Sequence, residues 1–283
     1  METRVTLAES FRRTQLEWAK GQAGPPADEK GYFLTVSPNL FRPMSRETAA
    51  DFGSGSGGEL RPGRRRRPKM FALHSSSILA CNVFDYWRAN GAGLVGEAFE
   101  WPFLPDRLTF EAKFPTGLPG EPPNVDVVLW ATADNVLAIE SKFTEPFGRP
   151  KSSPPFKAKY FPDGQPIWMD RDLPVCADLA LNLQEGRVRY RHLDAAQLLK
   201  HILGLQARRP RAFTLAYVYV DDAGEDGDRH RREVADFSGR IAAEIPFHAV
   251  SYQSLVARLR ALAGAYHDPY FAYLASRYQF RAT

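Results

Sequence analysis

NVDVVLWATADNVLAIESKF, residues 124–143, is the stretch that decides the fold of this chain. It contains two apolar runs, 124–130 and 136–143, joined by the short polar segment 131–135. Runs of this length that are rich in Val, Ile and Leu and separated by a few turn-forming residues predict two strands of an antiparallel hairpin. Each run also carries charged residues inside it, and burying a charge without a partner is costly. We therefore expect this hairpin to carry function as well as structure.

The charged side chains of the two strands fall on one face of the predicted hairpin. If Trp130 pairs with Val136, then Asp126 lies opposite Glu140, and strand alternation places Lys142 on the same face. Two opposed carboxylates repel each other unless a proton or a cation lies between them. Mg²⁺ is usually held by one or two carboxylates, with water and substrate phosphate as further ligands. Lys142 could orient or help to deprotonate an attacking water, so the pattern indicates metal-assisted phosphodiester hydrolysis. The alternative is a cross-strand ion pair of Lys142 on a solvated sheet face.

Outward from the hairpin, the periodicity predicts an α/β fold with a central mixed sheet flanked by helices. The predicted elements are a helix at 76–89, strands at 108–114, 125–130 and 136–143, a helix at 191–206, a strand at 213–220, and helices near 229–244 and 251–264. A further helix begins near Leu7, and a Pro-rich, Lys-bearing segment covers 146–175. The order is therefore helix-strand-strand-strand-helix-strand, with N- and C-terminal helical additions.

These residues and this order resemble the PD-(D/E)XK nuclease superfamily, which has the restriction-endonuclease-like fold. The resemblance covers about residues 70–220 and is closer still to a group of bacterial restriction endonucleases that are themselves assigned by similarity. It is carried by HSSS (74–77), NVD (124–126), IESKFTE (139–145) and QLLKH (197–201). It implies a DNA endonuclease in which Asp126, Glu140 and Ser141 bind the metal and Lys142 serves the nucleophilic water. The implied cofactor is Mg²⁺, with Mn²⁺ as a substitute.

The sequence departs from the superfamily at the first helix, which usually supplies a carboxylate to the metal. This helix offers Asn82 and Asp85, and its flank offers Glu97 and Glu100. The first ligand therefore stays open. The proline that usually precedes the aspartate is also replaced, since Val125 stands before Asp126.

Further residues could support the site. Glu111 lies in the first predicted strand, where we favour a solvated edge-strand side chain over a metal ligand. Glu145 could approach the site from its loop or cap a turn. Gln197, Lys200 and His201 share one polar face of the second helix. In the resembling fold Gln197 and Lys200 could hold phosphate or water, and an ordinary exposed face is the alternative.

The chain has a formal net charge of only +4, so a polyanion must be met by a local patch. The densest basic stretch is RPGRRRRPK at 61–69, which makes Arg64, Arg65, Arg66, Arg67 and Lys69 candidate contacts to a nucleic acid backbone. Lys151, Lys157 and Lys159 are further candidates. A solvated basic loop is the alternative reading of the Arg-rich run. We divide the chain into an N-terminal extension, 1–69, with a flexible Gly/Ser connection at 53–58, and a nuclease-like domain, 70–283. The core of that domain covers about 70–220, and C-terminal helices occupy 229–283.

Composition excludes several classes of protein. Two cysteines are too few for a disulfide framework, no secretory signal is visible and no apolar stretch reaches the ~18–20 residues of a membrane span. A cytoplasmic protein with DNA and no membrane as its partner is expected, and a homodimer would suit double-strand cleavage. The chain has no zincin, hydrolase-elbow or P-loop motif. The main alternative function is a non-catalytic nucleic-acid-binding module that retains the nuclease fold.

Overall fold

The computed structural model describes residues 6–55, 58–63, 66–132, 135–148, 154–208 and 212–280. Five strands form one sheet in the order β1-β2-β3-β4-β5. The strands are β1 (Arg107–Lys113), β2 (Asn124–Ala131), β3 (Asn135–Lys142), β4 (Ala212–Tyr219) and β5 (Phe247–Ser251). β1, β2 and β3 pair antiparallel, whereas β4 runs parallel to β3 and β5 runs parallel to β4. The predicted α/β class with a central mixed sheet is confirmed.

Ten α-helices surround the sheet within the described residues. They are α1 (Leu7–Lys20), α2 (Arg46–Ser54), α3 (Ser76–Ala80), α4 (Tyr86–Asn90), α5 (Ala92–Ala98), α6 (Pro174–Gln184), α7 (Ala195–Arg208), α8 (Glu225–Ile241), α9 (Tyr252–Leu262) and α10 (Asp268–Tyr278). A π-helical segment (Cys81–Asp85) joins α3 to α4, so the predicted helix at 76–89 is one continuous rod. Short 3-10 turns cover Ser37–Asn39, Lys69–Phe71, Glu145–Phe147, Ala158–Tyr160, Pro162–Gly164, Met169–Arg171 and Ala265–His267. No helix in the described ranges is long and apolar enough to cross a membrane.

A hydrophobic core fills each face of the sheet, because the central strands are apolar on both sides. The α3–α5, α9 and α10 face packs on Val127, Leu129 and Ile139, and the α6–α8 face packs on Val128 and Ala138. Burial on both faces holds β2 and β3 rigidly in register. The sheet is therefore a fixed platform for the charged side chains that these two strands carry.

The glycine of α7 sets how closely this helix approaches the sheet. A Cβ atom at Gly204 would lie 2.4 Å from the carbonyl oxygen of Phe114, directly after β1. Only a residue without a side chain permits that approach. The first half of α7, which carries Gln197 and His201, is therefore held close over the sheet.

Several sequence expectations need correction. Helix α6 was not predicted, since Pro174 reads as the end of a Pro-rich segment, although proline is favoured in the first turn of a helix. Strand β5 was missed because it is a five-residue, largely exposed edge strand inside a region assigned to C-terminal helices. The second predicted helix begins at Ala195 rather than at 191. A flexible Gly/Ser connection was expected at 53–58, but Gly53 and Ser54 belong to α2. Ser56 and Gly57 of that segment lie outside the described residues.

The terminal segments pack onto the same body. Helix α2 lies on β1, where Phe52 stacks on Phe110 with ring centroids 5.0 Å apart. Helix α1 lies against α10, and the buried Gln15 side chain donates to the carbonyl oxygen of Arg277 at 2.7 Å. Because α2 rests on the edge strand, the residues that follow it are carried to the same end of the sheet as Asp126.

Candidate active site

The β2–β3 hairpin has the predicted register. Trp130 pairs with Val136 and Val128 pairs with Ala138. Residues that are directly opposite share a face, and side chains alternate along each strand. Asp126, Glu140 and Lys142 therefore lie on one face, at the end of the hairpin away from its loop.

Asp126 is held against the main chain of β3. The Ser141 backbone N–H donates to Asp126 Oδ2 at 2.7 Å, a bond to the ionised form. Burial and then the nearby charge of Glu140 nonetheless raise the pKa of Asp126 well above its ordinary value. Without a cation, the site resists having both carboxylates ionised.

Glu140 is fully buried and lies next to two basic side chains. The Lys142 ammonium donates to its Oε1, and His201 Nε2 lies 2.8 Å from its Oε2. Burial alone would favour the neutral acid, but the charges of Lys142 and His201 lower the pKa of Glu140 to about 2. Glu140 is therefore the permanently ionised acid of the pair.

Lys142 lies between the acidic pair and helix α7. Its ammonium also donates to Gln197 Oε1 at 3.0 Å, and its side chain is 13% exposed. Burial opposes the charged form, but the charges of Glu140 and Asp126 outweigh it and raise the pKa of Lys142. In this arrangement Lys142 is a charged hydrogen-bond donor rather than a proton acceptor.

Glu111 is buried, so the expected solvated edge-strand side chain is wrong. The pairs on either side of it, Phe110 with Val127 and Ala112 with Val125, place Glu111 opposite Asp126. Its carboxylate accepts a bond of 2.7 Å from Asn124 Nδ2, and its φ of 50° is unusual for a residue with a side chain. Burial and then the charge of Glu59 raise the pKa of Glu111 to about 7.

The end of α2 covers Glu111. A Cβ atom at Gly55 would lie 3.1 Å from Glu111 Oε2 and 3.2 Å from Asn124 Nδ2. This glycine lets the backbone approach the carboxylate closely. Gly55 of this Gly-rich stretch therefore permits close packing at the site. The composition alone had indicated only a flexible connection.

Sequence reasoning missed Glu59, a fourth acid at this end of the sheet. The residue is 4% exposed, and its Oε1 accepts a bond of 2.6 Å from Lys69 Nζ. Its Oε2 has no hydrogen-bond partner within the described part of the chain. Glu59 stands alone in a Gly-rich stretch without periodicity. The only signal for it was that the resembling superfamily usually has one more carboxylate at the metal than the first helix of this chain offers.

The acids of the first helix and its flank do not join this cluster. Asn82 bonds to the backbone of Asn39 and Phe41 and to the Tyr278 hydroxyl, which is a structural role. Asp85 accepts from the Thr48 hydroxyl. Glu97 and Glu100 line a separate surface groove beside α5.

Other candidates also have different surroundings from those expected. The Ser141 side chain points to the opposite face, where its hydroxyl lies 2.6 Å from that of Tyr252, so Ser141 could meet a metal only through its main chain. Lys200 donates to the Pro155 carbonyl oxygen and lies over the ring of Phe156. These contacts do not place its ammonium in the acidic cluster, where it was considered as a phosphate ligand. His201 is buried and not part of an exposed polar face.

The remaining candidates lie outside the acidic centre or outside the described residues. Glu145 caps its turn by accepting from the Phe143 N–H. Arg66 is exposed, whereas Arg67 pairs with Asp28 and lies over the Tyr32 ring. Lys157 is exposed, and Lys159 donates to the Pro119 carbonyl oxygen. Arg64, Arg65 and Lys151 lie outside the described residues.

The charges of the cluster suit a hard divalent cation. Its members are four carboxylates and two ammonium groups, Glu59, Glu111, Asp126, Glu140, Lys69 and Lys142. If all are ionised, the net charge is −2, and this negative charge adds to the effect of burial in raising the pKa of Asp126 and Glu111. Within the described ranges, no group of three or more His, Cys, Asp or Glu side chains is placed to hold a metal ion. An open site with two carboxylates, completed by water or phosphate, is the arrangement usual for Mg²⁺.

Comparison with known proteins gives one family. A family model described as Restriction Endonuclease associating with ARP matches residues 5–279. No curated protein and no solved structure matches the chain.

Proposed function

The chain belongs to the family described as Restriction Endonuclease associating with ARP, and we propose from this that it is a metal-dependent nuclease that hydrolyses phosphodiester bonds of DNA. The observation that carries the proposal is the placement of Asp126, Glu140 and Lys142 on one face of a rigid hairpin, with Lys142 bonded to Glu140. This placement supports a PD-(D/E)XK type of site.

Asp126 and Glu140 are the residues that would hold the cation. Mg²⁺, or Mn²⁺ in its place, would polarise the phosphate and lower the pKa of a bound water. The donor set fits, because burial and the charge of Glu140 raise the pKa of Asp126, and a divalent charge beside the two carboxylates would let both be ionised.

The protein's own side chains would supply orientation and charge. Lys142 donates to one oxygen of Glu140, and His201 lies 2.8 Å from the other, so both basic side chains would favour one orientation of the carboxylate. Gln197 fixes the Lys142 ammonium, which is placed to donate to a phosphate oxygen or to the attacking water. Such preorganised donors stabilise the charge that develops in the transition state.

Cleavage by the purified full chain tests the proposal. We would incubate it with supercoiled plasmid, linear duplex, single-stranded DNA and RNA, with Mg²⁺, Mn²⁺ or chelator, and with methylated and unmethylated genomic DNA. We expect cleavage of DNA that requires the metal and is lost in Asp126→Asn and Lys142→Met. Lys20→Met, which changes an exposed lysine of α1, is the matched control and should cleave normally.

Two outcomes would contradict the enzyme. Cleavage that persists in Asp126→Asn or Lys142→Met would overturn the mechanism. DNA binding without cleavage of any substrate would instead favour a non-catalytic nucleic-acid-binding protein. Light scattering on the same sample tests the homodimer that double-strand cleavage would suit.

A further inference from the structure

The described residues at the two ends of the Arg-rich segment pair with each other beside the acidic site. Two main-chain bonds join its ends, from the Lys69 N–H to the Gly58 carbonyl oxygen and from the Met70 N–H to the Glu59 carbonyl oxygen, both at 3.0 Å. Nearer the tip, the Gly63 N–H donates to the Arg66 carbonyl oxygen at 2.9 Å. Glu59 and Lys69 therefore face each other at the base of a basic loop.

Stability does not account for the Glu59–Lys69 pair. The Glu59 side chain is 5% exposed and one of its oxygens has no hydrogen-bond partner within the described residues, whereas the Lys69 side chain is 65% exposed. Burying a carboxylate with one oxygen unsatisfied costs free energy, and an ion pair with an exposed lysine returns little of it. The arrangement does, however, fix the position of the Lys69 ammonium.

Lys69 is fixed at the rim of the acidic site. Partial desolvation opposes its charged form, but the hydrogen bond and charge of Glu59 and the charges of Glu111 and Asp126 raise the pKa of Lys69. The charge of the ammonium therefore interacts with that of the candidate metal ligand Asp126, and the side chain is exposed enough to be reached by a phosphate. Arg67, two residues earlier, is already tied to Asp28 and Tyr32 and anchors the loop.

We propose that Glu59 is a positioning residue that holds Lys69 at the edge of the acidic site, where Lys69 binds a backbone phosphate next to the one that is cleaved. The inference rests on the proposed nuclease function and adds a substrate contact to it. Lys69 supplies a point charge for one phosphate, and Glu59 acts only through Lys69.

The sign of the Glu59→Gln effect on DNA binding separates positioning from simple electrostatics. Removal of a negative charge beside a polyanion should by itself strengthen binding. If Glu59 holds Lys69 in place, Glu59→Gln should weaken binding by about threefold, part of the roughly tenfold loss expected for Lys69→Gln. Anisotropy of a short labelled duplex in chelator measures affinity without cleavage.

Salt dependence and the double variant test the coupling. In Lys69→Gln, the slope of log Kd against log salt should fall by about 1, as for the loss of one phosphate contact. Glu59→Gln combined with Lys69→Gln should bind no more weakly than Lys69→Gln alone. With Mg²⁺, Lys69→Gln should raise KM far more than it lowers kcat.

Matched controls guard against a folding effect. Glu17→Gln removes the acid of an exposed Glu–Lys pair on α1 and should leave DNA affinity unchanged. Lys69→Arg keeps the charge and should restore affinity to within about twofold. Thermal unfolding of each variant is measured alongside.

The two proposals fail in different ways. Cleavage by the wild-type chain, with Glu59→Gln binding DNA as tightly as the wild type or more tightly, overturns this inference alone. Lys69→Gln with an unchanged salt slope overturns it as well. A wild-type chain that cleaves no DNA contradicts the nuclease, whatever the binding data show.

Discussion

Glu140 Oε2 and His201 Nε2 lie 2.8 Å apart, and both side chains are fully buried. One residue belongs to β3 and the other to α7, so this contact ties the candidate metal ligand to the helix that crosses the sheet. A buried carboxylate that loses a basic neighbour has less of its charge compensated. His201 is therefore, with Gln197, one of two residues through which α7 contacts the candidate site.

His201→Ala should lower metal-dependent cleavage by about 10- to 100-fold, the usual cost of losing a residue that orients a metal ligand. His201 acts through its contact with the proposed metal ligand Glu140, so Mg²⁺ affinity should fall as well. Calorimetric titration with Mg²⁺ and a cleavage assay measure the two effects. His248→Gln, at an exposed histidine of β5, is the control. Normal Mg²⁺ affinity and cleavage in His201→Ala would contradict this role.

Gln197→Ala should reduce kcat by about tenfold with little change in KM, because Lys142 loses the acceptor that orients its ammonium. Single-turnover cleavage with saturating DNA isolates this step. Gln206→Ala, the same change near the other end of α7, should leave kcat unchanged, since Gln206 bonds to the Arg171 carbonyl oxygen. Equal effects of the two variants would show that the loss comes from the helix and not from the contact to Lys142.

Mg²⁺ should stabilise the folded chain and should do so less at low pH. At 100 times its dissociation constant, a ligand of the folded state adds about 2.7 kcal/mol to the free energy of unfolding. Burial and Glu140 raise the pKa of Asp126, so the metal must displace a proton there and its affinity falls as pH falls. Thermal unfolding with Mg²⁺ or chelator at several pH values measures this. Asp126→Asn should lose the effect, and an equal Mg²⁺ shift in that variant would contradict the assignment.

Acid should destabilise the protein partly through His230, which is fully buried and bonds to the Tyr217 hydroxyl at 2.9 Å. Burial, together with the charge of His192, lowers the pKa of His230 to about 4. The unfolded chain takes up this proton near pH 6.5 and the folded chain only near pH 4, so stability falls as pH drops through that window, by about 3 kcal/mol in all.

Urea unfolding between pH 7 and pH 4 measures the loss at His230. His230→Phe should be less stable than the wild type at pH 7 but should lose less stability on acidification. His248→Gln, at an exposed histidine of β5, is again the matched control. Parallel pH curves for the wild type and His230→Phe would show that His230 is not responsible.

Gly204→Ala should destabilise the fold by about 2–3 kcal/mol, because the new Cβ would meet the Phe114 carbonyl oxygen at 2.4 Å and push α7 away from the sheet. Gly239→Ala, on the exposed side of α8 with nothing within 4 Å, should instead add about 0.5–1 kcal/mol through helix propensity. Denaturant unfolding of both variants gives the comparison. A neutral Gly204→Ala would mean that α7 does not depend on this close approach.

The sequence by itself determined the hairpin and the face on which Asp126, Glu140 and Lys142 lie. The period of a strand is two residues, so the spacing of charged side chains within an apolar strand fixes their common face before any tertiary contact forms. Apolar periodicity likewise predicted the order of the main helices and strands. Strands that are buried on both faces of the sheet need nearly continuous apolar runs, and these runs can be recognised in the sequence.

Only the tertiary structure decided which other residues lie at the candidate site. Glu59, Glu111 and His201 come from a Gly-rich stretch, an edge strand and a mixed helix face, and nothing in their local patterns distinguishes them from solvated residues. Their burial results from packing over long sequence separations, such as α2 on β1 and α7 on β3, and a charge becomes informative only when its neighbours in space are known. The same separation hid the position of Lys69, because its charge meets that of Asp126 only where the main chain of Lys69 and Met70 bonds back to Gly58 and Glu59.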